Sequence, residues 1–419
     1  MTKHGCRGDG SKGEHVMFAV KNVVLMDGTG RPAQPGMTVL VDGDRIRDVG
    51  GGEQVQIPDD CKIIDGTGMT LVPGLMNMHA HLGWDGVHNL QKQSMEDSPE
   101  FRGMKIARGL RDCLEAGITT VRELGVHQSN IAAKQAVQEG ILAGPRLFVT
   151  GYSIMTTAGH TWWQGRQADG PYDVRKAVRE QVAAGADWIK VMASGFVEYE
   201  FTREELEAAA DETHMAGKKI TAHATFPNSI ERIVDIGFDS VEHGGEFLDK
   251  TIAKMVEKGI FLVPTFSALL IQAREGREWG IREELILRRL EVMKNPVRLQ
   301  GVARAAGAGV KIACGNDSGS GTVPHYRIVE ELEGYLEFDV CSSVEEAIKI
   351  ATANPAELLG IEADLGTVEA GKLADLVLVD ADLRDGISKL RCIKQVYKEG
   401  TLLVDDGLLT GNPSLKPGP

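Results

Sequence analysis

The sequence predicts an α/β protein: a (β/α)8 (TIM) barrel joined to a small β-sandwich domain built from both chain termini. Three observations carry this expectation. From about residue 75 to 315, short apolar strands alternate with helical patterns of ten or more residues, a texture that implies βα units and a parallel sheet. Near both ends, runs such as NVVLMDGTG, MTVLVDGDRIRDVG and GTVEAGKLADLVLVD are β-rich and cut by Asp-Gly or Gly-rich turns. Glycine accounts for 50 of the 419 residues, which implies many tight connections between short elements.

The expected barrel strands are LMNMHA (75–80), TTVREL (119–124), RLFVTG (146–151), WIKVMA (188–193), ITAHA (220–224), SVEHG (240–244), FLVPTF (261–266) and VKIACG (310–315). Helical patterns fill the gaps, among them VRKAVREQVAAG, TREELEAAADETHMAG, TIAKMVEKG and a run from about Glu283 to Ala308. Eight such units suit a closed barrel, which typically needs about 250 residues. This places the catalytic domain at 73–360. The segments 1–72 and 361–419 are each too short and strand-rich to close a core alone, so they are expected to share one discontinuous domain.

Composition narrows the function. With 46 Lys+Arg against 60 Asp+Glu the net charge is -14, and no basic patch offsets it, which argues against nucleic acid as a partner. Six cysteines are scattered without CxxC spacing, as for reduced thiols in a cytoplasmic protein. No apolar stretch is long enough to span a membrane, and the polar start MTKHGCRGDGSKGEH lacks a signal-peptide core. A cytoplasmic protein is the expectation.

The chemistry gathers at strand ends. His79 and His81 are separated by one residue, so in an extended segment their imidazoles share a face and can converge on one metal. They fall at the C-terminal end of the first strand, where barrel active sites lie. Lys190, His223, His243 and Asp317 occupy the same level on strands four, five and six and after strand eight. A buried Lys190 is costly unless paired or chemically altered. His4, His15, His88, His127 and His214 read as solvent-facing or loop residues, and Glu123 as a bracing group at the end of strand two.

This pattern resembles the amidohydrolase superfamily. The likeness extends to IIDGTGMTLVPGLMNMHAHLG near the start and NPAELLGIEADLGTVEAGKLADLVLVD near the end, while AGITTVREL, WIKVMASG and VEHG resemble the branch of imidazolonepropionase-like enzymes and Xaa-Pro or Xaa-Arg/Lys dipeptidases. The resemblance implies a binuclear metal centre. His79, His81 and Asp317 would hold a buried ion, His223 and His243 an exposed one, and Lys190, N-carboxylated by CO2, would bridge both. Two divalent ions, most simply Zn2+, would activate a bridging hydroxide, and Asp317 would pass a proton to the leaving amine. His160, in MTTAGHTWWQG, matches a substrate-facing Gly-His of the dipeptidases, although a loop histidine packed by Trp162 and Trp163 is an equal reading. His325, in TVPHY, is expected to line the mouth. The superfamily's habit of symmetric assembly implies a homo-oligomer.

Two positions depart from the dipeptidase pattern: Phe196 stands in place of a second glycine, and Thr225 in place of an aromatic residue or histidine. Hydrolysis of a dipeptide or N-acyl amino acid is the leading reading. A carbamate, aryl-urea, aryl-amide or cyclic amide substrate is the alternative, with Trp162, Trp163, Phe196 and Phe266 as an aromatic pocket. A non-enzymatic scaffold is a third reading, which retention of all six ligand types disfavours.

Overall fold

Leu75–Ala80, Ile118–Glu123, Trp188–Met192 and Ser240–His243 are buried at every position. Strands this apolar cannot leave a face in water, so they run through the middle of the fold with helices packed against them. The computed structural model describes residues 17–86, 89–294 and 296–410.

The parallel strands lie in two sheets. Leu75–Ala80, Ile118–Glu123 and Arg146–Val149 form the first; the second runs, in spatial order, Gly165–Gln167, Ser153–Met155, Trp188–Met192, Lys219–Ala224, Ser240–His243 and Phe261–Val263. The segment expected as strand three, 146–151, is a strand only over Arg146–Val149, and a separate strand follows beyond it. Arg146–Val149 pairs within the first sheet, the chain turns at Gly151 (φ +70°), and Ser153–Met155 pairs with Trp188–Met192. The left-handed backbone at position 151 favours glycine, and a Cβ there would also displace the Gln181 side-chain tip, whose Oε1 would lie 2.7 Å away. Across the junction the Asp187 N–H donates to Val149 O at 2.7 Å.

The segment expected as strand eight is not a regular strand. Ile312 bridges Leu262, Ser318 bridges Ala80, and the Met78 N–H donates to Cys314 O. A longer ladder is pre-empted, because the Cys314 N–H donates to Ile350 O and Asn316 Oδ1 accepts from Asn77 Nδ2 and the Ser318 N–H. The helical run from Glu283 is likewise two helices, Glu283–Lys294 and Val297–Gly307, separated at Pro296, which lacks the N–H that a continuous helix needs. The TREE sequence behaves as its spacing predicts: Thr202 and Glu205 form a capping box that starts Arg203–Met215.

Both chain ends enter one nine-stranded sheet. The seam is Thr70–Pro73 against Leu376–Val379, antiparallel, with Leu71 opposite Leu378 and Val72 opposite Val377. Alternation then sorts the side chains. Val72, Val377 and Val379 face the core shared with the parallel strands, whereas Leu71, Leu376 and Leu378 join Phe18, Val39 and Tyr397 in a second core on the other face.

Candidate metal centre

All six proposed ligands line one cavity of about 350 Å3 at the C-terminal ends of the parallel strands. Strand register creates the clustering: Met192 lies opposite His223, and Ala224 opposite His243, so Lys190, His223 and His243 rise on adjoining strands. Ring centroids are 5.2 Å apart for His79 and His81, 4.8 Å for His79 and His243, and 4.3 Å for His223 and His243. Asp317 Oδ1 lies 3.1 Å from His81 Nε2 and 3.5 Å from His79 Nε2. The donor atoms of His79, His243 and Asp317 lie within 4.8 Å of one another. This trio draws from both proposed ligand sets, which places the sets side by side. His243 (φ 69°) and Asp317 (φ 56°) have left-handed backbones, a conformation that costs non-glycine residues energy and persists where surrounding contacts fix it.

Partners behind the cavity set which nitrogen of each ring faces inward. His81 Nδ1 is 2.7 Å from Gly125 O, and a carbonyl only accepts, so Nδ1 carries a proton and Nε2 is the nitrogen turned towards Asp317. His79 Nδ1 is 2.8 Å from Glu242 Oε2, and His243 Nδ1 is 2.6 Å from Thr265 Oγ1. Burial, reinforced by the Lys190 charge, lowers the His79 pKa to about 4, and burial with neighbouring imidazoles holds His223 and His243 well below the usual range. All three rings are therefore neutral near pH 7, the form that ligates a cation. Lys190 Nζ is buried without a hydrogen-bond partner among the described residues, and burial pushes its ammonium down to about 8. Four imidazoles, one carboxylate and an orphaned lysine nitrogen form a donor set suited to divalent metal.

The family model "Amidohydrolase family" matches residues 70–403. The chain belongs to the amidohydrolase family. Ochratoxinase of Aspergillus niger is 29% identical over 428 residues, spanning 92% of this chain and 86% of that protein. A crystal structure of an Xaa-Pro dipeptidase with methionine bound in its active site superposes with a TM-score of 0.83 at 30% identity, covering 92% of this chain and 99% of the dipeptidase. A putative prolidase from Bifidobacterium longum gives a TM-score of 0.80 at 28% identity, covering 94% and 96%. The fold is the mixed α/β, TIM-barrel type of these relatives, and this amidohydrolase is a hydrolase. No helix among the described residues is long and apolar enough to cross a membrane.

Other expected residues of the amidohydrolase separate. His160 faces the cavity, with its ring 4.7 Å from that of His223 and Phe196 edge-on at 5.2 Å. A Cβ at position 195 would come within 2.2 Å of its ring, so Gly195 makes room for it. His325 is a correction: it does not line the cavity. Its Nε2 lies 2.9 Å from Trp84 O and its Nδ1 3.2 Å from Ser318 Oγ, so the buried ring is spent on packing two loops together. Of the expected aromatic pocket, Trp163 lines the cavity beside Trp84, Phe266 is buried against Tyr335, and Trp162 and Phe196 are exposed. Thr225 donates its N–H to Ser194 Oγ. Glu123 braces as expected: it accepts from the Gly125 N–H and from Asn130, fixing the turn whose carbonyl orients His81. His127 binds Ser129 and His214 pairs with Asp239, whereas His4, His15 and His88 lie outside the described residues.

Sequence reasoning missed Glu242 and Arg122. Arg122 is fully buried, donates to Glu242 Oε1 at 2.6 Å and to Met78 O at 2.8 Å, and stacks on Trp188. Burial alone would raise the Glu242 carboxyl, but Arg122 and His79 outweigh it and hold it well below the usual range. Their signal was a charged residue inside each of two apolar strands, TTVREL and SVEHG. Arg289 and Gln272, which also line the cavity, come from helices whose sequence carries no such mark.

Proposed function

We propose that this amidohydrolase cleaves the C–N bond of a dipeptide or N-acyl amino acid at two divalent ions, most simply Zn2+. His79, His81 and Asp317 would hold one ion, His223 and His243 the other, and Lys190, carboxylated on Nζ, would serve both. The observation that carries this reading is the orphaned Nζ of Lys190 inside a ring of neutral imidazoles. A free ammonium there has lost its water and gained no acceptor. Once the ammonium has given up one proton, its neutral amine can add to CO2: an N–C bond forms as a C=O π bond breaks, a second proton leaves the nitrogen, and an anionic carbamate with two donor oxygens results. When bound, two such ions lower the pKa of a shared water and polarise a carbonyl. Asp317, 3.1 Å from His81 Nε2, is placed to accept a proton and deliver it to the leaving amine. His160 and Trp163 bound the space the substrate would fill.

Similarity to an Xaa-Pro dipeptidase and an ochratoxinase supports the amide class. The Trp84–Trp163 pair, with centroids 5.7 Å apart, favours an aromatic group at one end and keeps an aryl-amide or aryl carbamate as the second reading. The same proposal takes the two parallel sheets as one (β/α)8 barrel over 73–360, with 1–72 and 361–419 as a discontinuous sandwich-like domain. Support comes from the bridges through 312 and 318 and from the seam between Thr70–Pro73 and Leu376–Val379. An experimental structure with the barrel open at the eighth segment would overturn that part.

The test is Lys190→Ala. Protein labelled with 13C-bicarbonate should show a carbamate carbon signal in the wild type that the variant lacks, together with loss of bound metal and of activity on N-acyl amino acids. Equal metal content and turnover in the two proteins would make Lys190 a plain core lysine.

A further inference from the structure

We propose that Arg289 anchors a carboxylate of the substrate, so that the amide belongs to an N-acyl α-amino acid or a dipeptide with a free C-terminus. The proposal rests on reading the cavity as an amide-hydrolysis site and names what that site selects.

Arg289 projects from the helix Glu283–Lys294 into the cavity that His79, Lys190 and Asp317 line. Its Nε donates to Gln272 Oε1 at 2.9 Å, and Gln272 Nε2 donates to Gly321 O at 3.2 Å, which ties the guanidinium to the loop following Asp317. With Nε engaged, the terminal nitrogens form a fork of the kind that grips a carboxylate through two parallel hydrogen bonds. Among the described residues no carboxylate acts on Arg289, and Asp317 is the one carboxylate among the residues lining the cavity. The contrast with Arg327 is direct: it neighbours the same region but holds Glu275 at 2.6 Å and Glu330 at 2.7 Å.

Arg298 adds to the positive field. It is mostly buried, its Nε has no partner, and its guanidinium reaches only His243 O and Pro264 O, at 3.5 and 3.4 Å. Burial depresses both guanidinium groups, and each also feels another arginine, Arg288 beside Arg289 and Arg289 beside Arg298. Neither guanidinium makes an ion pair among the described residues, and although Glu331 and Asp317 offset part of the burial cost of Arg298, no carboxylate does so for Arg289; an anionic ligand would. A neutral aryl carbamate would not.

The experiment compares N-acetylphenylalanine with N-acetylphenethylamine, which share the acetyl amide and differ by the carboxylate. The purified protein is supplied with Zn2+ and bicarbonate. Wild type should favour the acid by ~30-fold or more in kcat/KM, the scale of a charge-assisted bidentate pair. R289M should collapse that ratio towards one, mainly through KM, and R289K should restore part of it, because an ammonium keeps the charge and loses the fork. A merely structural Arg289 would lower both substrates together and leave the ratio intact, which would overturn the proposal. If wild type hydrolyses neither compound, the amide-hydrolase reading fails for this pair and calorimetric binding of N-acetylphenylalanine decides the anchor separately. Binding that weakens tenfold or more in R289M sustains it; equal binding in both proteins, or none to wild type, overturns it.

Discussion

At the scale of single residues, the centre depends on groups that orient other groups. His79 takes its tautomer from Glu242, which is held ionised by Arg122, and His81 takes its own from a carbonyl that Glu123 fixes by hydrogen bonding the same turn. Asp317 has the clearest test. Asp317→Asn keeps size and removes basicity, so kcat should fall by about 10²-fold or more if proton transfer is its task, with the fold retained. Near-native kcat in that variant would move the shuttle to His160 or His243. The histidine pair of HAH, Lys190, His223, His243 and Asp317 was legible in the sequence because each is polar in an otherwise apolar strand or just after one. Arg289 was not legible, because one of two adjacent arginines on an amphipathic helix looks like any solvated charge until the fold turns it inward.

Elements raise a second question, how a parallel sheet accommodates an open mouth. Strand three ends at Val149, the strand after Gly151 joins the other sheet, and the segment 310–315 gives up regular pairing to position Asn316, Asp317 and Ser318. Periodicity showed apolar runs at both places and could not show that backbone donors would go elsewhere. The helix Ser267–Glu275, which carries Gln272, is held at its start by a carboxylate from another helix: Glu331 accepts from the N–H groups of Phe266 and Ser267 at 2.8 and 2.7 Å. Burial pushes the Glu331 pKa up from 4.5 to about 7, against the lowering effect of those hydrogen bonds. A raised folded pKa means the folded state holds its proton longer, so this group's stabilisation is full below pH 4.5 and is lost as pH climbs to about 7. Denaturant unfolding should therefore show stability declining over that window by up to about 1.4 kcal/mol per pH unit from this group, and Glu331→Gln should flatten the decline. An unchanged slope in the variant would assign the pH dependence to other carboxyls.

For the whole molecule, the seam between Thr70–Pro73 and Leu376–Val379 ties the two ends of the chain to the body that carries the site. Ending the chain at residue 391 would remove Ile393–Lys398, Thr401–Asp405 and Leu408–Leu409 and leave Leu376–Val379 as an exposed apolar edge. Such a chain should aggregate or melt at least ~10 °C lower, as judged by calorimetry and light scattering, because a loss of several kcal/mol is a large part of a domain's stability. Full-length melting behaviour in the shortened chain would show that these three strands contribute little.

The sequence by itself determined the alternation of strand and helix, the β texture at both ends and the set of ligand-type residues, because these follow from local period, turn chemistry and residue type. Tertiary structure alone decided that strand three stops at Val149 and a further strand follows in the other sheet, that the eighth segment pairs only through bridges, that His325 is spent on packing, and that Arg122, Glu242 and Arg289 converge on the centre. The physical reason is that hydrogen-bond partners and desolvation are properties of a site assembled from residues hundreds of positions apart. Arg122 and Glu242, 120 positions apart, illustrate it: each alone is an unaffordable buried charge, and only the fold makes them a pair.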